Sequence, residues 1–471
     1  MLALEGAFMI PALVIALALG EKASAAAFAE VIGFCLVIGA GGIILKADFN
    51  KVYAKEGYVT VALAWILLSL VGALPFTLSG SIPNYIDAIF ECVSGFTTTG
   101  ASILKDVEAL PRSMLYWRSF THWLGGMGVL VFILAIMPRN AGSGTGFHIL
   151  RAESPGPSVG KFVPKMRSNA RILYGIYVAL TFIMALLLII FRMPVFDAVC
   201  ITFGTAGTGG FGILADSCAS YTSAQQIIIT VFMILFGINF SIYFLLLIGN
   251  IKAAVLDEET IAYLAIIAVS TLIIMFNVRD FFPSWGEALK NSAFQVGSII
   301  TTSGFATTDF NKWPELSKTI LVTLMFIGAS AGSTGGGLKV SRIIILLKSS
   351  RRTLKKMIHP QSVKHVRLSR KTVDIGVVHG VNIYIVVYCI IYALSLLLIS
   401  IDDFDFTTNF TAVAATINNV GPGLGAVGPA GNFASYSFLS KLVLSADMLI
   451  GRLEIFPMLL LFSPGTWKRA V

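Results

Sequence analysis

The chain has 471 residues, 56% of them hydrophobic and only 13% charged, with a mean hydropathy of +0.84. A soluble globular chain is nearer half apolar and a quarter charged, so a soluble enzyme, a disordered regulator and a DNA-binding module are all excluded. The apolar residues fall in runs such as 172–191, 227–249 and 381–400, and runs of about 20 match a helix that crosses the hydrocarbon core. The pattern is that of an all-α, polytopic integral membrane protein.

In chain order, residues 1–48 predict an N-terminal hairpin with helices near 7–20 and 26–46. Its apolar run followed by Ala23, Ser24 and Ala25 resembles a signal peptide. No basic residue precedes the run, where Glu5 is the one charge, so a short first membrane helix is the better reading. A unit then recurs four times, at 49–138, 168–252, 253–348 and 371–471. Each has a long apolar helix, a short apolar segment, a Thr/Gly-rich loop and a second long helix. Asp87, Asp197 and Glu287 sit near the start of three short segments, and Asp405 precedes the fourth. A stretch of about a dozen apolar residues cannot span the bilayer and reads as a re-entrant half-helix. Irregular backbone at membrane depth is tolerated only where protein or a water-filled path covers it.

The net charge of +9 is unevenly placed. Linker 139–167 carries Arg139, Arg151, Lys161, Lys165 and Arg167, with Glu153 its one acid, and Arg171 follows it. Linker 349–370 carries Arg351, Arg352, Lys355, Lys356, Lys364, Arg367 and Arg370 and no acid. Lys/Arg excess marks cytoplasmic loops, so both linkers and both termini are expected inside and the four Thr/Gly loops outside. Basic charge arranged this way points away from nucleic acid.

The loops span 95–102, 207–212, 301–306 and 418–423. A cation entering a pore exchanges hydration water for backbone carbonyl or hydroxyl oxygens. Glycine lets the backbone turn those carbonyls inward, and Gly100, Gly210, Gly304 and Gly421 align in that role. Thr98, Thr99, Thr208, Gly209, Thr302, Ser303, Asn419 and Val420 lie just before them as further oxygen donors. A loop without fixed charge suits a dehydrated monovalent ion. One such loop is as well read as a glycine-rich turn between helices; four at matching positions weigh against that reading.

The second helix of the third unit is interrupted by Ser330, Ala331, Gly332, Ser333, Thr334, Gly335, Gly336 and Gly337. Each interior glycine costs about 1 kcal/mol relative to alanine, so this helix is expected to break and form a movable intramembrane loop; close packing through small residues is the alternative. Arg452 lies inside the last span, near 442–462. A charge at mid-span costs roughly 2.5–3.5 kcal/mol on the insertion scale, and it reads either as a barrier to cations under the filter or as a structural ion pair with Glu454 or a neighbouring acid. No lone carboxylate within a span stands out as a proton relay. Cys35, Cys92, Cys200, Cys218 and Cys389 form no metal or redox spacing. Gly125, Gly126 and Gly128 beside His122 and Trp123 read as a packing face. No catalytic constellation is present, so an enzyme is not expected.

Segments 95–102, 207–212, 301–309, 418–425, 331–342 and 451–457 together resemble the TrkH family, the membrane subunits of bacterial Trk potassium uptake systems. That family belongs to a superfamily with KtrB and the plant HKT proteins. The likeness covers nearly the whole chain, and the N-terminal hairpin makes it more similar to TrkH than to KtrB. The resemblance implies four pseudo-symmetric helix–pore-loop–helix repeats around a central ion pore, plus the hairpin. It implies potassium as the transported ion, no organic cofactor on this chain, a homodimer in the bacterial inner membrane, and a cytosolic TrkA- or KtrA-like nucleotide-binding regulatory subunit. The basic linkers are plausible docking surfaces for that subunit; anionic lipid explains them equally well. A sodium- or proton-coupled symporter is the competing reading, and a non-transporting scaffold a third. With one aligned glycine per loop, fewer stacked ion sites are expected than in a tetrameric potassium channel. A bi-ionic flux assay should therefore give weaker discrimination of potassium over sodium than such a channel shows.

Overall fold

The computed structural model describes residues 1–44, 54–128, 166–361, 365–369 and 371–467. Nearly all of linker 139–167, the end of the first unit's second helix, and Lys364 and Arg370 of the other linker lie outside the described residues. Among the described residues the regular structure is helical apart from one two-residue antiparallel pairing, β1 (Arg367–Leu368) with β2 (Lys371–Thr372). The N-terminal hairpin is α1 (Leu2–Ala18) and α2 (Lys22–Ile44), both starting earlier than the apolar pattern alone suggests. Burial explains the difference at α1, because Glu5 is inside the protein and does not mark a helix end.

The first unit contains α3 (Ala54–Leu78), the half-helix α4 (Tyr85–Phe96) and α5 (Arg112–Gly126). The second has α6 (Met166–Ile190), the half-helix α7 (Val195–Gly207), α8 (Ser223–Phe236), α9 (Phe240–Leu247) and the short α10 (Ile251–Val255). The third has α11 (Glu258–Asn277), the half-helix α12 (Trp285–Ile300), α13 (Glu315–Ile327) and α14 (Val340–Ile358). The fourth has α15 (Ile375–Ile399), the half-helix α16 (Phe406–Ile417), α17 (Phe438–Arg452) and α18 (Phe456–Phe462).

Helices α2, α3, α6, α11 and α15 are long and apolar enough to cross a membrane. Their outer faces carry exposed apolar side chains, such as Val386, Ile390 and Leu397 on α15, which suits contact with lipid. The half-helices run 12 to 16 residues and occupy the centre, almost wholly buried towards their C-terminal ends. Three of them are started by a side-chain cap: Asn84 accepts from Ile86 N–H, Ser284 from Glu287 N–H, and Asp405 from Thr408 N–H. Capping satisfies donors that a helix start leaves open.

The second helix breaks in the second, third and fourth units, whereas the apolar pattern foretold a break only in the third. Run 227–249 bends by 88° between α8 and α9. Gly237 sits there because a Cβ would overlap the Tyr263 hydroxyl at 2.3 Å. Asn239 caps α9 by accepting from Ser241 N–H at 2.9 Å. The fourth breaks between α17 and α18, where Glu454 and Ile455 have φ of 56° and 70°. In the first unit α5 ends at Gly126. Apolar periodicity does not reveal these breaks because apolar residues resume directly after the few polar ones, at Phe240 and at Ile455.

One buried cluster ties the first two units together. Arg118 on α5 donates to Glu91 on α4 at 2.6 Å, and both are buried. Glu91 also accepts from the Ser102 hydroxyl at 3.0 Å and Ile103 N–H at 2.9 Å. Arg118 donates to the Gly212 carbonyl at 2.8 Å and lies 3.5 Å over the Phe211 ring. Removing one partner strands the other charge, at a cost of roughly 3–5 kcal/mol. Arg118→Ala should therefore melt well below the parent protein in a detergent thermal-unfolding assay, with Arg118→Lys in between.

A second knot lies at the base of α11. The Ser369 hydroxyl donates to Asp257 at 2.9 Å and the Ser369 N–H to Glu258 at 3.0 Å. Lys348 of α14 pairs with Glu258 and donates to the Arg367 carbonyl at 2.8 Å.

Candidate functional site

Each half-helix ends in the same way. Thr98, Thr208, Thr302 and Asn419 adopt left-handed φ of 55°, 56°, 60° and 53°. The next N–H reaches back to the carbonyl five residues earlier: Thr99 to Ser94, Gly209 to Gly204, Ser303 to Ser298 and Val420 to Ala415, at 2.7–2.9 Å. This is the Schellman ending, whose left-handed position is ordinarily glycine or asparagine. A β-branched threonine is an outlier there, at roughly 1–2 kcal/mol. Repetition of that strain in three units implies a use for the hydroxyl.

Two residues further on, Gly100, Gly210, Gly304 and Gly421 have φ of 80°, 75°, 76° and 98°. A Cβ on Gly100 would lie 2.0 Å from the Gly209 oxygen, on Gly210 1.8 Å from that of Ser303, on Gly304 2.2 Å from that of Val420, and on Gly421 2.6 Å from that of Thr99. Each glycine therefore abuts the next unit, and the fourth abuts the first. The four loops form a closed ring, and all four glycines line one cavity together with Ala101, Lys105 and Pro422. Among the described residues, the carbonyls of Thr99, Gly209, Ser303 and Val420 accept no hydrogen bond, which leaves their oxygens available.

The bracing behind the ring differs by unit. Hydroxyl pairs Thr97–Thr99 and Thr301–Ser303, each at 2.8 Å, brace units one and three. In unit four, Asn418 exchanges hydrogen bonds with the Tyr388 hydroxyl at 2.9 and 3.1 Å. Asn419 donates across the ring to the Thr99 hydroxyl and to the Met448 carbonyl, both at 2.9 Å.

Residues 328–339 form a non-helical loop directly against this ring. Gly336 N–H donates to the Thr302 hydroxyl at 2.7 Å, which gives one strained threonine its partner. A Cβ on Gly335 would meet the Thr301 oxygen at 2.9 Å, and one on Gly336 the Asn418 oxygen at 2.7 Å. Gly332 accepts from Phe240 N–H at 3.0 Å, and the Ser333 hydroxyl donates to the Ser330 carbonyl at 2.7 Å. Gly337, at φ 73°, turns the chain towards Lys339.

Two cations hold the loop's carbonyls. Arg452 donates to Thr334 and Gly126, both at 2.8 Å, and to Gly125. The backbone turn after α17 carries Glu454 to Arg342, with which it pairs. Lys339 is buried and donates to Gly335 and, at 3.2 Å, to Gly336. Glu259 on α11 accepts from Ala331 N–H at 2.6 Å and Ser341 N–H at 3.2 Å, so one carboxylate oxygen grips both ends of the loop.

Sequence reasoning missed Lys339 and Glu259. Lys339 directly follows the glycine run, which was a usable signal; Glu259 looked like an ordinary helix-start acid. The absence of lone carboxylates in the spans is also corrected. Asp447 on α17 is buried, accepting from the Ser395 hydroxyl at 2.7 Å through one oxygen. Its other oxygen, and both of buried Glu5, have no hydrogen-bond partner among the described residues. The acidic Asp87 pairs with Lys441 at 2.6 Å.

A family described as "TrkH: Cation transport protein" matches residues 24–468. The chain belongs to the TrkH family of cation transport proteins. It is 38% identical to the Trk system potassium uptake protein TrkH of Salmonella typhimurium, over 92% of this chain and 91% of that one. It is 30% identical to the Trk system potassium uptake protein TrkG of Escherichia coli, over 98% and 95%. The crystal structure of the potassium transporter TrkH from Vibrio parahaemolyticus superposes with a TM-score of 0.87 at 32% identity, covering 99% of this chain and 97% of that one. Members of the TrkH family are transporters, not enzymes, and the all-α membrane architecture agrees with that.

In this TrkH-family chain, Gly210→Ala meets both a left-handed φ and the Ser303 oxygen. It should cut cation uptake into liposomes to near background while leaving the protein folded by gel filtration.

Proposed function

We propose that the chain takes up potassium across the bacterial inner membrane through a channel-like pore. Its filter is the ring of Gly100, Gly210, Gly304 and Gly421 with the oxygens of the residues before them. The closed ring of four glycine-bearing loops, three of them strained, is the observation that carries this reading, because carbonyls left without donors at that level are what a dehydrated cation needs. Potassium as the ion is supported by the relatives, which are potassium uptake proteins and a potassium transporter. Loop 328–339 obstructs the path, and Arg452 places a positive charge beneath the ring. Flux is driven downhill by the membrane potential, about 2.3 kcal/mol per charge for each 100 mV.

Both termini and both basic linkers face the cytosol on this reading, and the cavity lined by the four glycines faces outward. The assembly is a homodimer working with a cytosolic nucleotide-binding subunit, so the organic ligand belongs to the partner. Division into units at 49–138, 168–252, 253–348 and 371–471 is part of the same proposal. Buried Asp447 and Glu5 favour a second reading, a proton- or sodium-coupled symporter, since buried ionisable groups in membrane helices commonly serve as relays.

Reconstitution in liposomes separates the two. Rubidium uptake down a potassium gradient, with no sodium or proton gradient imposed, is expected for the parent protein, and its preference over sodium is expected to be lost in Gly304→Ser. Uptake only with an imposed gradient would favour coupling. Arg452→Ala should raise the rubidium flux several-fold; unchanged flux in folded protein would remove the barrier role.

A further inference from the structure

Position 209 poses a question that the ring itself does not answer. Its counterparts are Thr99, Ser303 and Val420, all with side chains. Gly209 lacks the positive φ of Gly210, so its backbone conformation is open to any residue. The close approach of Gly100 is to its carbonyl oxygen and leaves its Cα untouched.

What excludes a side chain at 209 is His122. A Cβ there would lie 2.3 Å from His122 Nδ1, 2.4 Å from Cγ and 2.5 Å from Cε1. At Gly207, a Cβ would lie 2.2 Å from the His122 carbonyl oxygen. Both glycines of this segment thus face one histidine, which is fully buried. Its ring stacks on Phe211 at 4.1 Å between centroids and 18° between planes, and its Nδ1 accepts from Phe211 N–H at 3.5 Å. Phe211 is covered on its other contact by Arg118. The hydroxyl pair that braces units one and three is missing here, because positions 207 and 209 are both glycine.

We propose that His122 is the positioning residue of the second filter segment and so helps determine its ion selectivity. The imidazole occupies the volume that a side chain at 209 would fill, and it sets the backbone on which the Gly209 carbonyl and Gly210 sit. Gly209 is glycine to admit that ring, and needs no special backbone freedom. The inference rests on the ring being the filter.

The test is a double-mutant cycle read as the rubidium-to-sodium uptake ratio of the full-length protein in liposomes, with Gly304→Ser alongside. Gly209→Ala forces a methyl into the filled volume and shifts the backbone, so it should lower the ratio by about tenfold. His122→Ala should lower it as well, by loosening the segment. The double variant, where the new methyl enters the vacated space, should be more selective than either single variant. A Gly209→Ala protein as selective as the parent, or a double variant no better than Gly209→Ala, overturns the proposal. Should Gly209→Ala fail to fold, the double variant decides: folded and selective supports it, anything else overturns it. Loss of selectivity in Gly304→Ser with an unmoved Gly209→Ala sinks this inference alone, whereas retained selectivity in Gly304→Ser sinks the filter reading beneath it.

Discussion

A backbone that leaves its helix in the middle of a membrane finds no water to satisfy it. Everything at the centre of this protein answers to that constraint. The half-helices end in Schellman turns that satisfy their own carbonyls internally. The loops that follow then release only a few oxygens, all at one level of the ring. Around them the long spans supply an apolar wall, and the N-terminal hairpin lies against α3 and α5, packing Met9, Ala12 and Phe28 into the same core.

The same constraint explains the loop beneath the ring. Residues 328–339 expose carbonyls that a helix would have paired, and two cations, half-buried Arg452 and buried Lys339, take them up. A buried charge on its own is expensive; here the carbonyl dipoles and the carboxylates of Glu454 and Glu259 offset it. Charge and irregular backbone are thus stable at this depth only as a set, which is why the cations and the glycines occur at the same level.

Architecture was far easier to read from the sequence than local geometry. Half-helices 12 to 16 residues long cannot be confused with spans, and Gly100, Gly210, Gly304 and Gly421 stand at like positions in a repeated pattern. Each is a statement about spacing along the chain, which a sequence records directly. The breaks at Gly237–Asn239 and after Arg452 depend on contacts with Tyr263 and Arg342 that lie far away in the chain. Partner choice was equally opaque: Glu454 is two residues from Arg452 and still pairs elsewhere. Lys339, Glu259 and His122 draw their importance from the loops they meet, and nothing in their own neighbourhoods announces it.

The three consecutive acids that open α11 divide their work. Asp257 and Glu258 grip the turn at Ser369 between β1 and β2, while Glu259 grips both ends of loop 328–339. Linker and loop therefore share a single helical turn as their anchor. Two segments far apart in the chain are thus moored side by side at the foot of α11, by three residues in a row.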